Sequence, residues 1–447
     1  MAGTRRTRRA VAGAAGALGA WSVGLLAAAG CAPGGPFGAG RAREAPSVEP
    51  STIRFTYWGA DPEEVQVQDG VIAAFHQKFP QIRVENAGDA AGTGPYHEKL
   101  VTQAAGGTAP DVARIQSTDM PRFARGGLLL ALDAFIKKDG YKLDDFWPAA
   151  LPLSRYQEQL YTLPVIGGPN PLFWNGRLFR EAGIPPATEL DARGEWTWER
   201  FADVARRLAR REGDAWRVAG FAVEFTWGGL GPWLWSAGGD YFNAARTKCT
   251  IADPPAVEAV QFLLDLLTKH RVGPLPGEPA PGIQWFPGST IAMQISPITS
   301  SYQWRRDPNF EFDVVLNPRG RAGQIGRLNA NGYGIMAGTK APAAAWEFLK
   351  HLASVETLAH LASIGRSFPW RRSVAQSREY RESQPVKSLD VLFKLSDKNG
   401  KTWPVVPAWD EINRFATTAL REVADGKLGL REGLERIRTE ADRLLAG

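Results

Sequence analysis

The order of apolar and polar positions along the chain predicts alternating strands and helices. Residues 52–58 alternate apolar and polar side chains, as a half-buried strand does. Pro62 opens a helix whose apolar face holds Val71, Ile72 and Phe75, and Pro80 ends it. Similar patterns predict strands at residues 82–84, 110–115, 172–175, 291–295, 313–316 and 333–336, and helices at residues 96–105, 120–125, 177–182, 198–211, 255–270, 343–353, 413–423 and 430–445. This alternation is typical of an α/β protein with a mostly parallel sheet.

The N-terminus has the pattern of a secretory signal. Arg5, Arg6, Arg8 and Arg9 form a positive start, and residues 10–29 carry no charge. The stretch is rich in alanine and glycine, which favours a cleaved signal of residues 1–30 over a membrane-anchoring helix. Residues 7–11 resemble a twin-arginine export signal, and the general secretory route is the alternative. We therefore expect an exported protein.

Cys31 is the expected site of membrane attachment. It follows Ala28, Ala29 and Gly30, which resemble a bacterial lipoprotein cleavage box, although Ala28 replaces the usual leucine. Residues 31–50 are rich in Gly, Pro, Ala and Ser and predict a flexible tether. Pairing of Cys31 with Cys249, the second of two cysteines, is the alternative to a lipid on Cys31.

Charge and motifs exclude several function classes. The net charge is +6, but the arginines of residues 1–30 supply four of these charges, so no basic excess points to a nucleic-acid partner. The sequence contains no HExxH, zinc-finger spacing, GxSxG or Walker loop. We therefore predict no metal, no cofactor and no catalytic residue. Neighbouring acids such as Glu63–Glu64 and Asp410–Glu411 fit a solvated surface.

Tryptophan is unusually frequent, with 16 residues. The length of the chain separately predicts two lobes. An aromatic ring covers the C–H face of a sugar, while polar side chains bind its hydroxyl groups. Several tryptophans are expected on loops, where open α/β sheets bind ligands, namely Trp58, Trp227, Trp233, Trp235, Trp285, Trp304, Trp370, Trp403 and Trp409. Core packing is the alternative for each ring. The pattern favours a carbohydrate site.

The order of several short motifs resembles the family 1 extracellular solute-binding proteins of bacterial ABC importers. Residues 173–184 resemble the family pattern YN-x-x-LF-x-x-AGI, and residues 286–293 resemble F-x-x-G-x-x-AM. Further matching segments are residues 55–59, 75–80, 106–112, 123–133, 237–242 and 367–374. Together they extend over nearly all of the chain after the tether.

The resemblance implies a fold, partners and a location. The implied fold is a two-lobed periplasmic-binding-protein-like α/β fold with a hinge between the lobes and the ligand cleft at their interface. Lobe 1 would comprise residues 51–165 and 317–365, and lobe 2 residues 166–316 and 366–447. The implied partners are a carbohydrate ligand and the permease subunits of an ABC transporter. The chain would act as a monomer, anchored by its lipid and facing outside the cytoplasm.

The resemblance also assigns ligand-binding residues. Asp119 follows a predicted strand and is the candidate carboxylate for sugar hydroxyls. Tyr302 stands near the position where the family often has a tryptophan. The full set of expected contacts is Trp58, Gln116, Thr118, Asp119, Trp227, Trp235, Trp285, Tyr302, Asn331, Tyr333, Trp370 and Arg371.

Two other functions remain open from the sequence. A polyol phosphate or another anionic solute would use Arg327, Arg366 and Arg371. An exported carbohydrate-active enzyme would need two carboxylates that face one glycosidic bond, and the sequence does not show which acids face each other.

Overall fold

The computed structural model describes residues 49–280, 283, 286, 290–404 and 406–446. The signal, Cys31, most of the tether and Trp285 lie outside these residues. The strands are β1 Ser51–Thr56, β2 Ile82–Asn86, β3 Val112–Ile115, β4 Arg155–Tyr156, β5 Gln159–Leu160, β6 Leu163–Asn170, β7 Leu172–Asn175, β8 Arg210–Glu212, β9 Ala215–Val218, β10 Met293–Ile295, β11 Phe312–Val315, β12 Gly326–Ile335 and β13 Gly400–Lys401.

The α-helices range from single turns to 17 residues. They are α1 Pro62–Lys78, α2 Thr93–Ala105, α3 Met120–Arg125, α4 Asp133–Asp139, α5 Gly176–Glu181, α6 Ala187–Ala192, α7 Trp198–Leu208, α8 Gly231–Ser236, α9 Pro254–Thr268, α10 Ser301–Trp304, α11 Pro342–Leu352, α12 Val355–Ser363, α13 Arg372–Ala375, α14 Arg378–Ser383, α15 Leu389–Lys394, α16 Trp409–Ala424 and α17 Leu430–Leu445. Short 3₁₀ turns span Leu151–Ser154, Gly228–Leu230 and Ile298–Ser300, and a π turn spans Leu395–Asn399.

Local sequence explains where α1 begins and which of its faces is buried. Asp61 is the N-cap, and its carboxylate accepts a hydrogen bond from the Glu64 backbone N–H at 2.8 Å. Pro62 occupies the first turn, where its missing N–H costs nothing. Val71, Ile72 and Phe75 are buried, as their helical spacing predicts. The start of α1 is thereby fixed directly after β1.

The first lobe is built on a six-stranded sheet. Strand β1 pairs in parallel with β2 and with β3, and the long strand β12 pairs antiparallel with β3 and β6. The mostly parallel sheet predicted from the alternation of strands and helices is therefore correct for β1 to β3, whereas β12 and β6 are antiparallel additions. Their pairing is not visible in local sequence because it joins residues 163–170 to residues 326–335.

The second lobe contains a three-stranded antiparallel sheet in the order β10-β7-β11. Strand β6 of the first sheet ends at Asn170 and β7 of the second begins at Leu172, so the chain crosses between the lobes there. It crosses back between β11 and β12, and β13 then pairs with the start of β12 before the chain enters α16. Crossing strands therefore join the two lobes.

Buried side chains form two cores. The first core surrounds the six-stranded sheet and continues onto one face of β7 and β11. The second core packs α7, α8, α9, α16 and α17 together. Phe368, Tyr380 and Leu392 pack in the first core, although the expected division placed residues 366–447 in lobe 2. The lobe boundaries stay a prediction.

One predicted helix is too long. The helix expected over residues 198–211 ends at Leu208, because Ala209 is extended and Gly213 adopts a positive φ of 58° in the turn between β8 and β9. Arg210 and Arg211 thus lie in a surface hairpin, whereas Arg206 and Arg207 are on α7. A second hairpin, β4–β5, was not predicted, and its turn holds Gln157 and Glu158 at positive φ.

Candidate ligand cleft

The end of β1 and the end of β3 meet at one edge of the first sheet. Trp58 follows β1, and Gln116, Thr118 and Asp119 follow β3. Because β1 and β3 are parallel neighbours, their carboxyl ends share this edge, where open α/β sheets bind ligands. The structure therefore brings four of the expected site residues together.

A cavity of about 380 Å³, here called the Trp58 cavity, lies between this edge and the second-lobe segment around α10. It is lined by Trp58, Gly59, Glu63, Glu64, Arg114, Ile166, Thr299, Ser300, Tyr302, Gln303, Arg305, Arg306, Ile364, Gly365 and Arg366. Its volume is within the usual range for small-molecule sites. Trp58 is half-buried and Ile364 is exposed, so an apolar surface is accessible beside charged groups.

The buried side chain of Arg114 holds Trp58 in position. Its side chain is buried within β3 and forms an ion pair with Glu64 at 2.7 Å. It also donates to the Tyr333 hydroxyl at 3.0 Å and to the Trp58 carbonyl at 3.3 Å. The guanidinium carbon lies 5.0 Å from the centre of the Trp58 ring, within range of a cation–π contact. Arg114 was absent from the predicted site; a charged residue inside a buried strand is the signal that points to it.

Tyr333 acts through Arg114 rather than through a ligand. Its side chain is fully buried, and its hydroxyl accepts from the Arg114 guanidinium. Asn331 has a similar supporting role, because its side-chain oxygen accepts from the Ser117 N–H at 3.1 Å. Both residues of β12 therefore hold the loop and the strand that form the cleft edge.

The loop after β3 is held by a histidine that the sequence did not single out. The Nε2 atom of His97 accepts from the Gln116 N–H at 3.3 Å, so the neutral ring carries its proton on Nδ1. That Nδ1 lies 3.3 Å from Asp119 Oδ2, and Asp119 Oδ1 accepts from Arg122 at 2.9 Å. His97 is fully buried, and its ring also lies 5.5 Å from that of Trp58.

Burial shifts the pKa values of His97, Asp119 and Asp410. It lowers the pKa of His97 to about 4, and the charge of Arg122 adds to the effect. Burial raises the pKa of Asp119, while Arg122 limits the rise. The pKa of Asp410, at the start of α16 in the second lobe, is raised by burial and by the charge of Asp119. The charge coupling between Asp410 and Asp119 indicates that the two carboxylates lie near each other.

The low pKa of His97 predicts a pH-dependent stability. The unfolded chain takes up a proton near pH 6.5, and the folded chain does so only near pH 4. The free energy of unfolding should therefore lose the His97 contribution as the pH falls through this interval. In urea titrations, the difference in stability between the wild type and His97→Gln should shift in favour of the variant over the same interval. Parallel curves would contradict the assignment; His360→Gln, at an exposed site on α12, is the control.

Tyr302 connects the two lobes. Its hydroxyl donates to the Ala362 carbonyl at 2.6 Å and accepts from Gln384 at 2.6 Å. A Cβ atom on Gly365 would lie 1.8 Å from Tyr302 Cγ, so only glycine permits this contact. The ring thus packs against the backbone after α12 while its residue lines the Trp58 cavity.

Trp227 and Trp235, expected to stack on a sugar, lie in the second core instead. Trp227 is fully buried, and its ring packs against Tyr241 at 4.8 Å between ring centres. The Trp235 Nε1–H donates to Asp240 at 2.9 Å, and the ring is 2% exposed. Neither ring presents a face to the cleft in this structure, because Trp235 on α8 and Trp227 at the start of the preceding 3₁₀ turn both point into the interior.

Trp370 and Arg371 also have internal partners. Trp370 is fully buried and donates to the Ile166 carbonyl at 3.4 Å. Arg371 donates to the Ala353 carbonyl at 2.7 Å and to the Tyr141 hydroxyl at 2.7 Å, and it pairs with Asp145. These contacts hold the segment after α12 against the first lobe and leave neither side chain lining the Trp58 cavity.

The two other arginines considered for an anionic solute differ in position. Arg327 is buried on β12, where it pairs with Glu224 at 3.3 Å and lies 4.9 Å from the centre of the Trp403 ring. Arg366 lines the Trp58 cavity. Of these three arginines, only Arg366 is placed where it faces that cavity.

A second and larger cavity of about 900 Å³ lies between the hairpin β4–β5 and the ends of α16 and α17. It is lined by Arg125, Pro152, Arg155, Tyr156, Gln157, Glu158, Arg246, Val406, Pro407, Ala408, Glu411, Arg443, Leu444 and Leu445. Glu411 adjoins Asp410, and Arg125 lies on the same short helix as Arg122, so this cavity lies near the group around Asp119.

In the described part of the chain, no three His, Cys, Asp or Glu side chains are grouped so as to hold a metal ion. None of the described helices has the length and apolar character needed to span a bilayer. Cys249 is buried in the second core and forms no disulfide with a described residue.

Two α/β lobes joined by crossing strands, with a cavity where they meet, define a periplasmic-binding-protein-like fold. The family model of the bacterial extracellular solute-binding proteins matches residues 60–358, about two thirds of the chain, and the chain belongs to this family.

Solved structures share the fold. One is an ABC substrate-binding protein of Listeria monocytogenes in complex with cycloalternan, 22% identical, with a TM-score of 0.77 over 89% of this chain and 100% of that one. Another is a solute-binding protein of Thermotoga lettingae bound with α-D-tagatose, 22% identical, with a TM-score of 0.74 over 88% of this chain and 100% of that one.

Curated relatives match parts of the chain. An uncharacterised lipoprotein of Streptomyces antibioticus is 28% identical over 199 residues, which are 44% of this chain and only 40% of that one. A putative binding protein of Brucella abortus is 23% identical over 344 residues, which are 74% of this chain and 78% of that one. The predicted family and the two-lobed fold are therefore confirmed.

Proposed function

We propose that this protein captures a sugar or oligosaccharide outside the cytoplasm and delivers it to the permease of an ABC transporter. The observation that carries the proposal is Trp58, a half-buried indole at the carboxyl end of β1 that lines a cavity between the lobes. Such a ring offers an apolar face for the C–H groups of a sugar, and the loop after β3 adds polar side chains at the same edge of the sheet.

The relatives support a solute of this class. The Listeria and Thermotoga proteins with the same fold hold cycloalternan and tagatose, and an arabinooligosaccharide-binding protein of Bacillus subtilis is 22% identical over 242 residues. In the proposed cycle, the protein acts as a monomer. Closure of the lobes about the crossing strands would sequester the ligand before its delivery.

A panel of neutral and charged saccharides tests the proposal. Intrinsic tryptophan fluorescence and the thermal unfolding temperature of the purified protein should change with at least one saccharide, because a ligand that binds only the folded state stabilises it. Amino acids and short peptides are the control ligands. A response to these alone, with none to any saccharide, would contradict the carbohydrate part of the proposal.

We further propose that the protein binds without catalysis. Glu63 and Glu64, near Trp58, are engaged by Arg366, and Glu64 is also paired with Arg114, so neither is placed as a free acid–base pair. Purified protein should therefore release no reducing ends from polysaccharides. Release that is lost in Asp119→Asn or Asp410→Asn would instead support the enzyme hypothesis.

We propose that a lipid on Cys31 anchors the exported chain, and that the following residues tether it near the permease. The Streptomyces relative named a lipoprotein supports this assignment. Cys31→Ala should release soluble protein from the membrane fraction, and the released protein should bind the same ligand. Retention of the variant in the membrane would contradict lipid attachment at Cys31, with the Cys249→Ala variant as the control.

A further inference from the structure

The wall of the Trp58 cavity has an inner and an outer layer of charged side chains. The inner layer is the ion pair of Arg114 and Glu64, whose side chains are only 6% and 8% exposed. All three guanidinium nitrogens of Arg114 already donate to protein acceptors, namely Glu64, the Tyr333 hydroxyl and the Trp58 carbonyl. The inner layer is therefore balanced in charge and leaves no guanidinium nitrogen without an acceptor.

The outer layer is unbalanced. Glu63 pairs with Arg366 at 3.2 Å and with Arg306 at 3.7 Å, so one carboxylate serves two guanidinium groups. Arg366 also reaches Glu64 at 3.4 Å, but Glu64 is already paired with Arg114. Arg305 stacks on Tyr302 at 4.5 Å and donates to the Ser383 carbonyl. Among the residues that line this cavity, the outer layer therefore has three arginines and one carboxylate, that of Glu63.

This excess of positive charge is local. The chain after residue 30 carries a net charge of only about +2, because four of the six net charges belong to the N-terminal arginines. A cleft lined by one sign of charge concentrates ligands of the opposite sign.

We propose that the ligand is an acidic saccharide, a sugar whose ring lies on Trp58 and whose anionic group is bound by Arg306 and Arg366. This assignment rests on the sugar-binding function proposed above. A guanidinium binds a carboxylate or a phosphate through two parallel N–H groups, and such charge-assisted bonds are about twice as strong as neutral ones. The two arginines come from segments far apart in sequence: Arg306 follows α10, and Arg366 follows α12. An anion between them would join these two segments.

Matched pairs of saccharides test the assignment. Glucose with glucuronate, galactose with galacturonate, and neutral oligosaccharides with their uronate counterparts are titrated into the purified protein by calorimetry at about 10 mM and about 0.15 M salt. The acidic member should bind at least tenfold more tightly at low salt, which corresponds to about 1.4 kcal/mol, and the ratio should shrink at the higher salt. Glucose 6-phosphate and inorganic phosphate are titrated separately, and their affinities distinguish a phosphate from a carboxylate as the anionic group.

Variants locate the anionic group. Arg306→Gln and Arg366→Gln should each reduce the preference for the acidic sugar about tenfold while neutral sugars keep their affinity. Arg378→Gln is the control, because Arg378 is an exposed arginine paired only with Glu382 on α14. A sugar phosphate preferred over the uronates would support the proposal with phosphate as the anion. Inorganic phosphate that binds as tightly as the sugar phosphate would overturn the saccharide part.

The outcomes separate this inference from the broader function. Equal affinity for the neutral and acidic members of each pair, or a preference that persists in both arginine variants, would overturn the acidic class while sugar binding stands. The absence of binding to every saccharide would overturn both the proposed function and the acidic class.

Discussion

Replacing Arg114 with methionine should lower the free energy of unfolding by about 3–5 kcal/mol, the usual cost of removing one partner of a buried ion pair. The variant leaves the Glu64 carboxylate, 8% exposed, with Arg366 and Gln68 as its remaining polar partners among the described residues. It also leaves the Tyr333 hydroxyl without its donor. Urea denaturation followed by circular dichroism measures the loss.

The control is an arginine of the same chemistry at the surface. Arg378 pairs with Glu382 at 2.7 Å, but both side chains are largely exposed, and such a pair contributes about 0–1 kcal/mol. Arg378→Met should therefore change the stability little. If Arg114→Met were equally mild, the pair with Glu64 would not carry the stability assigned to it.

A double-mutant cycle tests whether the cost comes from the orphaned carboxylate. Arg114→Met combined with Glu64→Leu removes both charges, and the double variant should be more stable than the sum of the single effects predicts. Because Arg114 also holds Trp58, Arg114→Met should weaken saccharide binding, whereas Arg378→Met should not. A coupling near zero would indicate that Arg114 and Glu64 contribute independently.

Trp227→Ala should mainly reduce stability, whereas Trp58→Ala should mainly reduce saccharide binding. Trp227 is fully buried in the second core, and truncating a buried tryptophan costs about 3–5 kcal/mol through lost contacts and the cavity left behind. Trp58 is half-buried at the cleft, so Trp58→Ala should cost less stability but reduce saccharide affinity tenfold or more. Thermal unfolding and calorimetric titration measure the two quantities on the same preparations.

The two variants also test whether Trp227 contacts the ligand, as its position in the sequence predicts, or packs in the core, as the structure shows. Should Trp227→Ala keep its unfolding temperature and lose only ligand binding, its placement in the core would be wrong. Phe135→Ala, which removes a half-buried aromatic ring on α4 that lines neither cavity, is the control for nonspecific loss of aromatic surface.

Local sequence determined the elements and the family. Helical periodicity fixed α9 and α17 to within two residues, and the motifs that resemble the family predicted the two-lobed fold. The meeting of residues directly after β1 and β3 was also predictable, because the carboxyl ends of parallel strands share an edge. Trp58 and the loop from Gln116 to Asp119 follow this rule.

Only the tertiary structure decided which aromatic and charged side chains face the cleft. A tryptophan near a glycine has the same local pattern whether its helix turns it outward or, as α8 does with Trp235, into a core. The pairs Arg114–Glu64 and Glu63–Arg306 join segments far apart in sequence, so their partners are set by sheet pairing and by the contact between the lobes. The sequence therefore determined which edge of the sheet would form the cleft, and the packing of distant segments decided which charged side chains line that cleft.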